Sequence, residues 1–390
     1  MSVKEFAVLG AGVMGAGIAG QAALAGINTR LCDLSLEALN RGLVRIDQHL
    51  DRQLQRGKIA PKQHQVARAA LKTQLDQQGF DKLELLVEAV VESESVKRSV
   101  LTQAESQLPL TAILATNTST ISIDQLAESL QRPQNFCGLH FFNPVAQMQL
   151  VEVVRGSRTR TEVVDACIDF AHDLGKQPVV VKDCPGFLVN RILFPYFHGF
   201  DLLVKQGVSF ARIDQVMQAF GWPMGPAYLA DVIGMDVMVG ADRVLEQGYP
   251  ERMSYACDSV FSELQSRGLL GQKQGAGFYL YRQSESGERI REINHEIAAL
   301  YPETTELADS EIIDRMMLPM VTESLRCLDE GVVATATELS LAATLGLGYP
   351  AANGGLAGYI GQMGVEALSA KLERYAQLGG LYQYTGAAWV

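Results

Sequence analysis

The sequence predicts an α/β domain built on a doubly wound sheet, followed by two all-α domains that form a tandem repeat. Between residues 5 and 181, short β-like runs alternate with helical patterns, which is typical of such a sheet. From Pro185 onward the pattern is helical, beginning with the apolar stretch 186–207. We therefore place the sheet domain at residues 1–184 and the helical domains at 185–285 and 305–390.

The predicted strands are short apolar runs. In chain order they are EFAVLG (5–10), NTRLCD (28–33), LELLVEAVVE (83–92), AILATNTS (112–119), CGLHFF (137–142), LVEVV (150–154) and PVVV (178–181). Helical segments lie between several of them, including 161–174. A polar, amphipathic insertion at 36–75 predicts a pair of helices joined near Gly57–Pro61.

A weak internal repeat lies within the helical part. A shift of 124 positions places identical residues on one another: Arg191 on Arg315, Pro195 on Pro319 and Gly207 on Gly331. Downstream, the turn GWPMGP (221–226) corresponds to GLGYPAANGG (346–355). This self-similarity predicts two copies of one helical domain, joined by a polar segment near 282–309.

Composition and charge narrow the classes of function. The net charge of −11 argues against a nucleic-acid partner, which requires a basic face, but permits an anionic small ligand. No apolar run reaches the ~18 residues that span a bilayer, and the N-terminus resembles no signal peptide. The six cysteines form no C-x-x-C pair and no cluster with histidine. We expect a cytoplasmic protein with no metal site and no membrane partner.

A glycine pattern follows the first predicted strand. Gly10-Ala-Gly12-x-x-Gly15 lies between that strand and an apolar helical stretch, the context of a Rossmann-type dinucleotide-binding turn. Gly10 permits the tight turn, Gly12 lets the backbone approach a pyrophosphate, and Gly15 allows close helix packing. Val13 and Met14 open the helix, whose N-terminal N–H groups favour phosphate. The alternative is a turn that serves close packing alone.

The residue that ends the second predicted strand indicates which dinucleotide is bound. Asp33 stands 18 residues after Gly15, where a carboxylate accepts hydrogen bonds from an adenosine ribose and repels a 2′-phosphate. The next residues are Leu34, Ser35 and Leu36, so no arginine follows to accommodate that phosphate. The predicted cofactor is NAD.

Polar residues stand at the carboxyl ends of the later strands, where ligands of open α/β sheets bind. They are Glu92 and Lys97 after VEAVV, Asn117 and Ser119 in ATNTS, and His140 and Asn143 in HFFNP. Oxidation of an alcohol needs a base beside the hydroxyl while hydride leaves the carbon, and histidine suits that role. His140 is therefore a candidate base.

Two further residues complete the candidate catalytic group. Glu152 would fix the tautomer of His140 if their strands are neighbours, and Asn190, on the first helix of the next domain, could hold a substrate oxygen. Each residue has an alternative interpretation without a catalytic role. Glu152 could be a solvated strand residue, and Asn190 could be an amide on the surface of a helix. Five other histidines compete with His140: His49, His64, His172, His198 and His295.

Seven segments together resemble the L-3-hydroxyacyl-CoA dehydrogenases. They are GAGVMGAGIA, EAVVE, NTSTISI, GLHFFNPV, LVEVV, DCPGFLVNRIL and WPMGPAYLADVIGMD. The resemblance is closest to the dehydrogenase part of the bacterial fatty-acid oxidation complex α-subunit, and order and spacing agree through about Lys273. It implies oxidation of a 3-hydroxyacyl-CoA to a 3-oxoacyl-CoA with reduction of NAD.

The resemblance also implies roles for individual residues. His140 matches the family's catalytic base and Glu152 its paired carboxylate. Ser119 matches a serine that contacts substrate and cofactor, and Asn190 matches the asparagine of PGFxxNR. The remaining matches are Asn143 beside cofactor and substrate, and Glu92 and Lys97 on the cofactor side. In the resembling family the region of the polar insertion lies over the acyl-CoA, so Arg52, Arg56 and Lys58 could face the phosphates of coenzyme A. The alternative is that they are exposed surface charges.

The chain departs from that subunit in two respects. No hydratase domain precedes the dinucleotide-binding strand, so we expect a stand-alone enzyme or a separated half that works with a hydratase or thiolase partner. In the second helical copy, PAANGG (350–355) lacks the aromatic and basic residues of the family, which puts a substrate contact there in doubt.

The repeat leads to an expectation about assembly. Single-copy members of the resembling family pair through their helical domains. Here residues 310–390 are expected to cover 185–281 as an internal pseudo-dimer, so no obligate homodimer is expected through the helical domains. Asp314 falls opposite Asn190 under the shift of 124, so this copy would be purely structural.

Other functions remain open from the sequence. The same chemistry on a hydroxyadipyl-CoA-like substrate of aromatic catabolism is the nearest alternative. A dehydrogenase of free sugar acids is a second, and a non-catalytic NAD-binding structural protein is a third.

Overall fold

The computed structural model describes residues 3–255, 257–284 and 289–389. They divide into two compact units, Met1–Phe187 and Leu188–Val390, close to the predicted boundary at Cys184–Pro185. The division of the helical part into 185–285 and 305–390 stays a prediction. Across the described residues, no helix is long and apolar enough to cross a membrane, and no three His, Cys, Asp or Glu side chains are grouped to hold a metal ion.

The first unit is an α/β unit whose strands alternate with helices. Its strands are β1 (Glu5–Leu9), β2 (Asn28–Cys32), β3 (Leu71–Gln74), β4 (Leu85–Glu88), β5 (Ile113–Thr116), β6 (Phe136–Phe141), β7 (Leu150–Arg155) and β8 (Gln177–Lys182). Its helices are α1 (Val13–Leu24), α2 (Leu36–Gln55), α3 (Pro61–Ala70), α4 (Glu94–Gln107), α5 (Ile123–Ala127) and α6 (Thr161–Asp173), with 3-10 turns at Phe80–Lys82 and Pro133–Asn135.

The eight strands form one sheet in the order β3-β2-β1-β4-β5-β6-β7-β8. All neighbouring strands are parallel except β6 and β7, which are antiparallel. Strands β4 and β6 are buried along their whole length, as expected for parallel strands covered on both faces. The seven strands predicted from apolar runs are all present, and the prediction of a Rossmann-type sheet is confirmed.

Strand β3 is the one strand of this sheet that the sequence did not predict. Its residues, LKTQ, were assigned to the helical insertion at 36–75. They show no apolar alternation because β3 lies at the edge of the sheet, pairs with β2 alone and is half-exposed. The rest of the insertion is helical as predicted.

The insertion folds as two helices for identifiable reasons. Leu39, Ile46 and Leu50 lie on one face of α2 and are buried, and the hydroxyl of Ser35 accepts a hydrogen bond from the Ala38 N–H at 3.2 Å at its start. Pro61 opens α3, where a missing N–H costs nothing.

The second unit is mainly helical. Its helices are α7 (Val189–Lys205), α8 (Phe210–Phe220), α9 (Pro226–Ile233), α10 (Met235–Gly248), α11 (Pro250–Met253), α12 (Val260–Ser266), α13 (His295–Leu300), α14 (Asp309–Asp329), α15 (Ala336–Leu347), α16 (Gly355–Met363) and α17 (Val365–Tyr375). Strands β9 (Tyr279–Gln283) and β10 (Arg289–Ile293) form an antiparallel pair, so the prediction that this part of the chain is all-α is wrong at these residues. Turns of 3-10 helix lie at Gln272–Gln274, Ala352–Gly354, Ala376–Leu378 and Gly380–Tyr382.

Helices α7 and α14 form the centre of this unit. Each is buried over most of its length, and each contains an interior proline, Pro195 and Pro319. Gly199 lets the two backbones approach, since a Cβ there would lie 2.5 Å from the carbonyl oxygen of Arg315. The backbones of α7 and α14 are therefore in direct contact at this crossing.

The segment near 282–309 is more ordered than predicted. It was expected to be a polar connection, yet it contributes β10 and α13. Asn294 joins them to the core, since its side-chain amide donates to the Gly277 carbonyl at 2.9 Å. Ile297 in α13 is buried. The sequence did not predict this packing, because the apolar residues of this segment are isolated in a polar stretch.

Candidate active site

The glycine loop between β1 and α1 has no room for side chains at two positions. Gly10 has φ of +101°, and a Cβ there would lie 2.5 Å from the Ala89 carbonyl oxygen. A Cβ on Gly15 would lie 1.8 Å from the Gly10 carbonyl oxygen. Both glycines are therefore required by close backbone packing, as the sequence predicted.

Gly12 differs from its neighbours because it faces open space. A Cβ there would meet no atom within 4 Å, although Gly12 is the N-cap of α1. No acidic residue lies in the first turn of that helix, and no side chain caps its N–H groups. The absence of a side chain at Gly12 leaves this space open at the N-terminus of α1. Such a space suits the pyrophosphate of a dinucleotide. Val13 and Met14 follow at the rim, exposed and half-exposed.

Asp33 lies at the end of β2, next to the glycine loop. Its Oδ2 accepts a hydrogen bond from the Ala11 N–H at 2.8 Å, and its Oδ1 accepts one from the Ser35 N–H at 3.0 Å. The carboxylate is partly exposed, as contact with a ribose requires. The bond to Ala11 gives Asp33 a second role in fixing the glycine loop, which the sequence did not reveal.

The loops after β4 and β5 are joined by Glu92. Its Oε1 accepts hydrogen bonds from the Thr118 hydroxyl at 2.6 Å and from the Ser119 N–H at 2.8 Å. Burial raises the pKa of Glu92, but the charge of Lys97 and these hydrogen bonds outweigh it and hold the pKa below its usual value. Glu92 therefore remains a carboxylate and fixes the backbone beside Ser119.

Lys97 lies beneath Glu92 with no exposed surface. Its ammonium group donates to Oε1 of Glu88 at 2.8 Å and lies 3.4 Å from Oε2 of Glu92. The Thr116 hydroxyl completes the buried network by donating to Glu88 at 2.6 Å. We interpret Lys97 as a positioning residue that acts through Glu92. Sequence reasoning did not single out Glu88, because a glutamate inside a strand gives no sign of its partner.

His140 and Glu152 face each other across the antiparallel strands β6 and β7. They are directly paired in the register, and Nδ1 of His140 lies 2.7 Å from Oε2 of Glu152. Both side chains are buried. A carboxylate can only accept a hydrogen bond, so this contact favours the tautomer with its hydrogen on Nδ1, which leaves the lone pair of Nε2 available to take a proton. The condition that the two strands be neighbours is met.

Aromatic rings and one amide surround the histidine. The ring of Phe142 lies 4.4 Å from that of His140, and the ring of Phe187 lies 5.8 Å away. Asn117, at the end of β5, accepts a hydrogen bond from the Phe141 N–H through Oδ1 at 2.8 Å. It ties the ends of β5 and β6 together and so steadies the strand that carries His140.

The other predicted residues lie in several places. Ser119 is partly exposed in the loop after β5, and Asn143 is exposed just after β6. Asn190 is partly exposed in the first turn of α7, in the second unit. Lys58 is exposed in the connection between α2 and α3. Their contacts with cofactor or substrate stay predictions.

Comparison with known proteins identifies the chain. Residues 5–184 match the family model of the 3-hydroxyacyl-CoA dehydrogenase NAD-binding domain, and residues 186–281 match that of its C-terminal domain. The chain belongs to the 3-hydroxyacyl-CoA dehydrogenase family. It has a Rossmann-like NAD-binding domain followed by a helical C-terminal domain, as that family does.

Relatives of this family cover nearly the whole chain. The fatty acid oxidation complex subunit alpha of Psychrobacter sp. (strain PRwf-1) is 44% identical over 386 residues, which are 98% of this chain and 54% of the relative. The corresponding subunit of Pseudomonas syringae pv. tomato is 45% identical over 388 residues, with the same shares of the two chains covered. The chain thus spans about half the length of these curated relatives.

Two solved structures extend the likeness. The 3-hydroxybutyryl-CoA dehydrogenase of Escherichia coli K12 is 27% identical with a TM-score of 0.87, and the alignment covers 99% of this chain and 97% of that one. The (S)-3-hydroxybutyryl-CoA dehydrogenase of Ralstonia eutropha is 35% identical with a TM-score of 0.69, covering 72% of this chain and 100% of that one.

The first prediction concerns the histidine–glutamate pair. We expect His140→Gln to lower kcat by roughly 10²–10⁴, the usual contribution of a positioned base. Binding of NAD should be nearly unchanged, because the glycine loop and Asp33 are untouched. Glu152→Gln should also slow turnover, since its amide would donate to Nδ1 and leave Nε2 protonated. Steady-state NADH formation and an NAD titration measure both effects.

The matched control for His140→Gln is His172→Gln, which alters an exposed histidine in α6. It should retain full turnover. A His140→Gln protein that keeps more than a tenth of the wild-type kcat would show that His140 is not the base.

The second prediction concerns the choice of cofactor. The wild-type protein should strongly prefer NAD, and Asp33→Ala should narrow the ratio of kcat/KM for NAD and NADP by removing the repulsion. KM for NAD should also rise in this variant, because the Ala11 N–H loses its acceptor. Asp33→Asn retains an acceptor without the charge, which separates the two effects. Equal kcat/KM for both cofactors in the wild type would contradict the assignment.

Proposed function

We propose that this chain oxidises L-3-hydroxyacyl-CoA to 3-oxoacyl-CoA with His140 as the general base. The observation that carries the proposal is the buried pair of His140 and Glu152 at 2.7 Å, in a sheet whose glycine loop suits NAD. A buried carboxylate on Nδ1 is what a base needs in order to take up a proton and become an imidazolium.

The proposed step moves one proton and one hydride. Nε2 of His140 accepts the proton of the 3-hydroxyl group while the C3–H bond breaks and the C3–O double bond forms. The glycine loop and Asp33 would hold NAD, which would supply the acceptor for the hydride. Glu152 stabilises the resulting imidazolium, and His140 returns the proton to solvent after the 3-oxoacyl-CoA leaves.

Other residues of the chain orient the reactants in this proposal. Ser119, fixed by its N–H bond to Glu92, contacts both substrate and cofactor. Asn143, in the loop that follows β6, contacts the cofactor and the substrate. Asn190 holds a substrate oxygen. The family motifs that these residues match support these roles.

We assign the substrate to fatty-acid β-oxidation in the cytoplasm. The relatives named fatty acid oxidation complex subunit alpha and the two 3-hydroxybutyryl-CoA dehydrogenases support an acyl-CoA thioester. The first relatives are named as subunits of a complex, which supports a partner enzyme, and the partner we propose is a thiolase or a hydratase.

We place the coenzyme A moiety near the connection of α2 and α3. Arg52, Arg56 and Lys58 are exposed there, and within the described part of the chain none of them has a carboxylate partner. Neighbouring charges do have partners, as in the Arg68–Asp47 pair at 2.6 Å. Available cations suit the phosphates of coenzyme A.

We further propose that the second unit is a tandem repeat folded as an internal pseudo-dimer. Under the shift of 124, Arg191 falls on Arg315 and Gly199 falls on Glu323. Arg191 contacts Glu323 at 2.7 Å, and Gly199 packs on the carbonyl of Arg315. Two equivalent positions thus make reciprocal contacts, as in a two-fold interface.

A second reciprocal contact supports the same proposal. The turns 221–223 (GWP) and 348–350 (GYP) pack against each other, and the proline of each lies against the glycine of the other. The rings of Trp222 and Tyr349 lie 5.3 Å apart. The helices that single-copy relatives use for pairing would therefore be covered within one chain.

The third prediction tests the reaction. Purified protein should form NADH with C4 to C16 L-3-hydroxyacyl-CoA substrates and not with the corresponding free acids, because coenzyme A supplies much of the binding. KM for the thioester should rise with ionic strength more steeply than KM for NAD, since exposed cations are screened by salt. Turnover of free acids at comparable kcat/KM would contradict the proposed substrate class.

The fourth prediction tests the pseudo-dimer. Light scattering should give the mass of one chain, 42.4 kDa, because the apolar face of the first helical copy is already covered. A homodimer joined through residues 185–281, with 310–390 lying elsewhere, would overturn the proposal. Self-association through another surface would leave that contact between the copies in place.

A further inference from the structure

Arg191 carries a charge in the core of the second unit. Its side chain has 0% exposure. Nε donates to Oε1 of Glu323 at 2.7 Å, and Nη1 lies 2.8 Å from Oε2 of Glu330. The guanidinium group also lies 4.4 Å from the centre of the Tyr249 ring. Glu323 lies in α14, and Glu330 is the C-cap residue that follows this helix.

Glu323 is shared among three guanidinium groups. Besides Arg191 it pairs with Arg252 at 2.8 Å and with Arg326 at 3.0 Å. Burial raises the pKa of Glu323, but the Arg252 hydrogen bond and the charges of Arg191 and Arg326 outweigh it and lower the pKa. Because each member of the network is held by others, the whole group is rigid.

The rigid end of this network is next to a predicted substrate residue. Arg191 and Asn190 are consecutive in the first turn of α7. In a helix the direction of each Cβ is tied to the backbone, so fixing the Arg191 side chain also fixes the direction of Asn190. We propose that Glu323 in α14 and Glu330 at its C-terminal end are positioning residues that hold Asn190 in the orientation needed for the acyl-CoA substrate. This rests on the role proposed above for Asn190.

The internal repeat supplies an independent argument. Arg315 falls on Arg191 under the shift of 124, but the position equivalent to Glu323 is Gly199. Arg315 donates instead to the side-chain oxygen of Gln206 at 2.6 Å. The position equivalent to Asn190 is occupied by an aspartate. Only the arginine that follows the asparagine, Arg191, thus has carboxylate partners among the described residues, whereas its equivalent Arg315 has an amide.

Stability alone does not require such a network. Buried ion pairs can often be replaced by apolar side chains without loss of stability, because desolvation offsets their attraction. The first turn of α7 needs a defined orientation, and this need explains why Arg191 is buried there.

The test compares variants of α14 in the full chain. Glu330→Gln is the mild variant, since Glu330 is 47% exposed and its loss leaves the Glu323 contact in place. Glu323→Gln is the severe variant. Glu323→Asp should retain part of the affinity for acyl-CoA that Glu323→Gln loses. The control is Asp314→Asn, which removes the ion pair of Asp314 and Lys371 from the same helix. KM for acyl-CoA, KM for NAD, kcat and Tm are measured for each.

We expect Glu330→Gln to raise KM for acyl-CoA by roughly 10-fold, because a misplacement of 1 Å can cost about 100-fold and this variant keeps the Glu323 contact. KM for NAD should stay unchanged, and Asp314→Asn should change neither. In the Asn190→Ala background, Glu330→Gln should have no further effect on KM.

Each other outcome overturns the inference. Glu330→Gln that lowers Tm yet leaves KM for acyl-CoA unchanged would show a purely structural network. Additive effects of Glu330→Gln and Asn190→Ala would show that Glu330 does not act through Asn190, while the proposed function stands. Wild-type KM in Asn190→Ala itself would refute the proposed role of Asn190 and the inference together.

Discussion

The candidate site depends on the antiparallel pairing of β6 with β7, the one break in an otherwise parallel sheet. This pairing sets His140 directly opposite Glu152, at a separation of 2.7 Å between Nδ1 and Oε2. A slip of one residue would turn Glu152 to the other face of the sheet. The buried carboxylate would then lack its donor, which is costly in free energy. The register of β6 and β7 and the pair of His140 and Glu152 therefore stabilise each other.

A second layer of polar groups steadies the loops around that pair. Glu88 and Lys97 are buried at the carboxyl end of β4, and Glu92 connects them to the backbone beside Ser119. Asp33 does the same for the glycine loop through Ala11. Groups that are already hydrogen-bonded need not reorganise when charge moves during a reaction, so such support contributes to catalysis.

Much of this arrangement could be predicted from the sequence, because buried parallel strands are continuous apolar runs and glycines mark tight turns. The pair of His140 and Glu152 was predicted only on condition that their strands are neighbours, since sequence alone does not reveal pairing. Strand β3 was missed because an edge strand can be polar throughout. The contact of Arg191 with Glu323 spans 132 positions, and one arginine gives no sign of which distant glutamate it meets.

The packing of α7 on α14 lies within one polypeptide, and this has a consequence for behaviour on dilution. Two subunits that pair through such helices separate when their concentration falls below the dissociation constant of the dimer. In this chain the connecting residues hold one helix near the other at a constant effective concentration. The buried arginine–glutamate network should therefore persist at any protein concentration, however scarce the protein is in the cell.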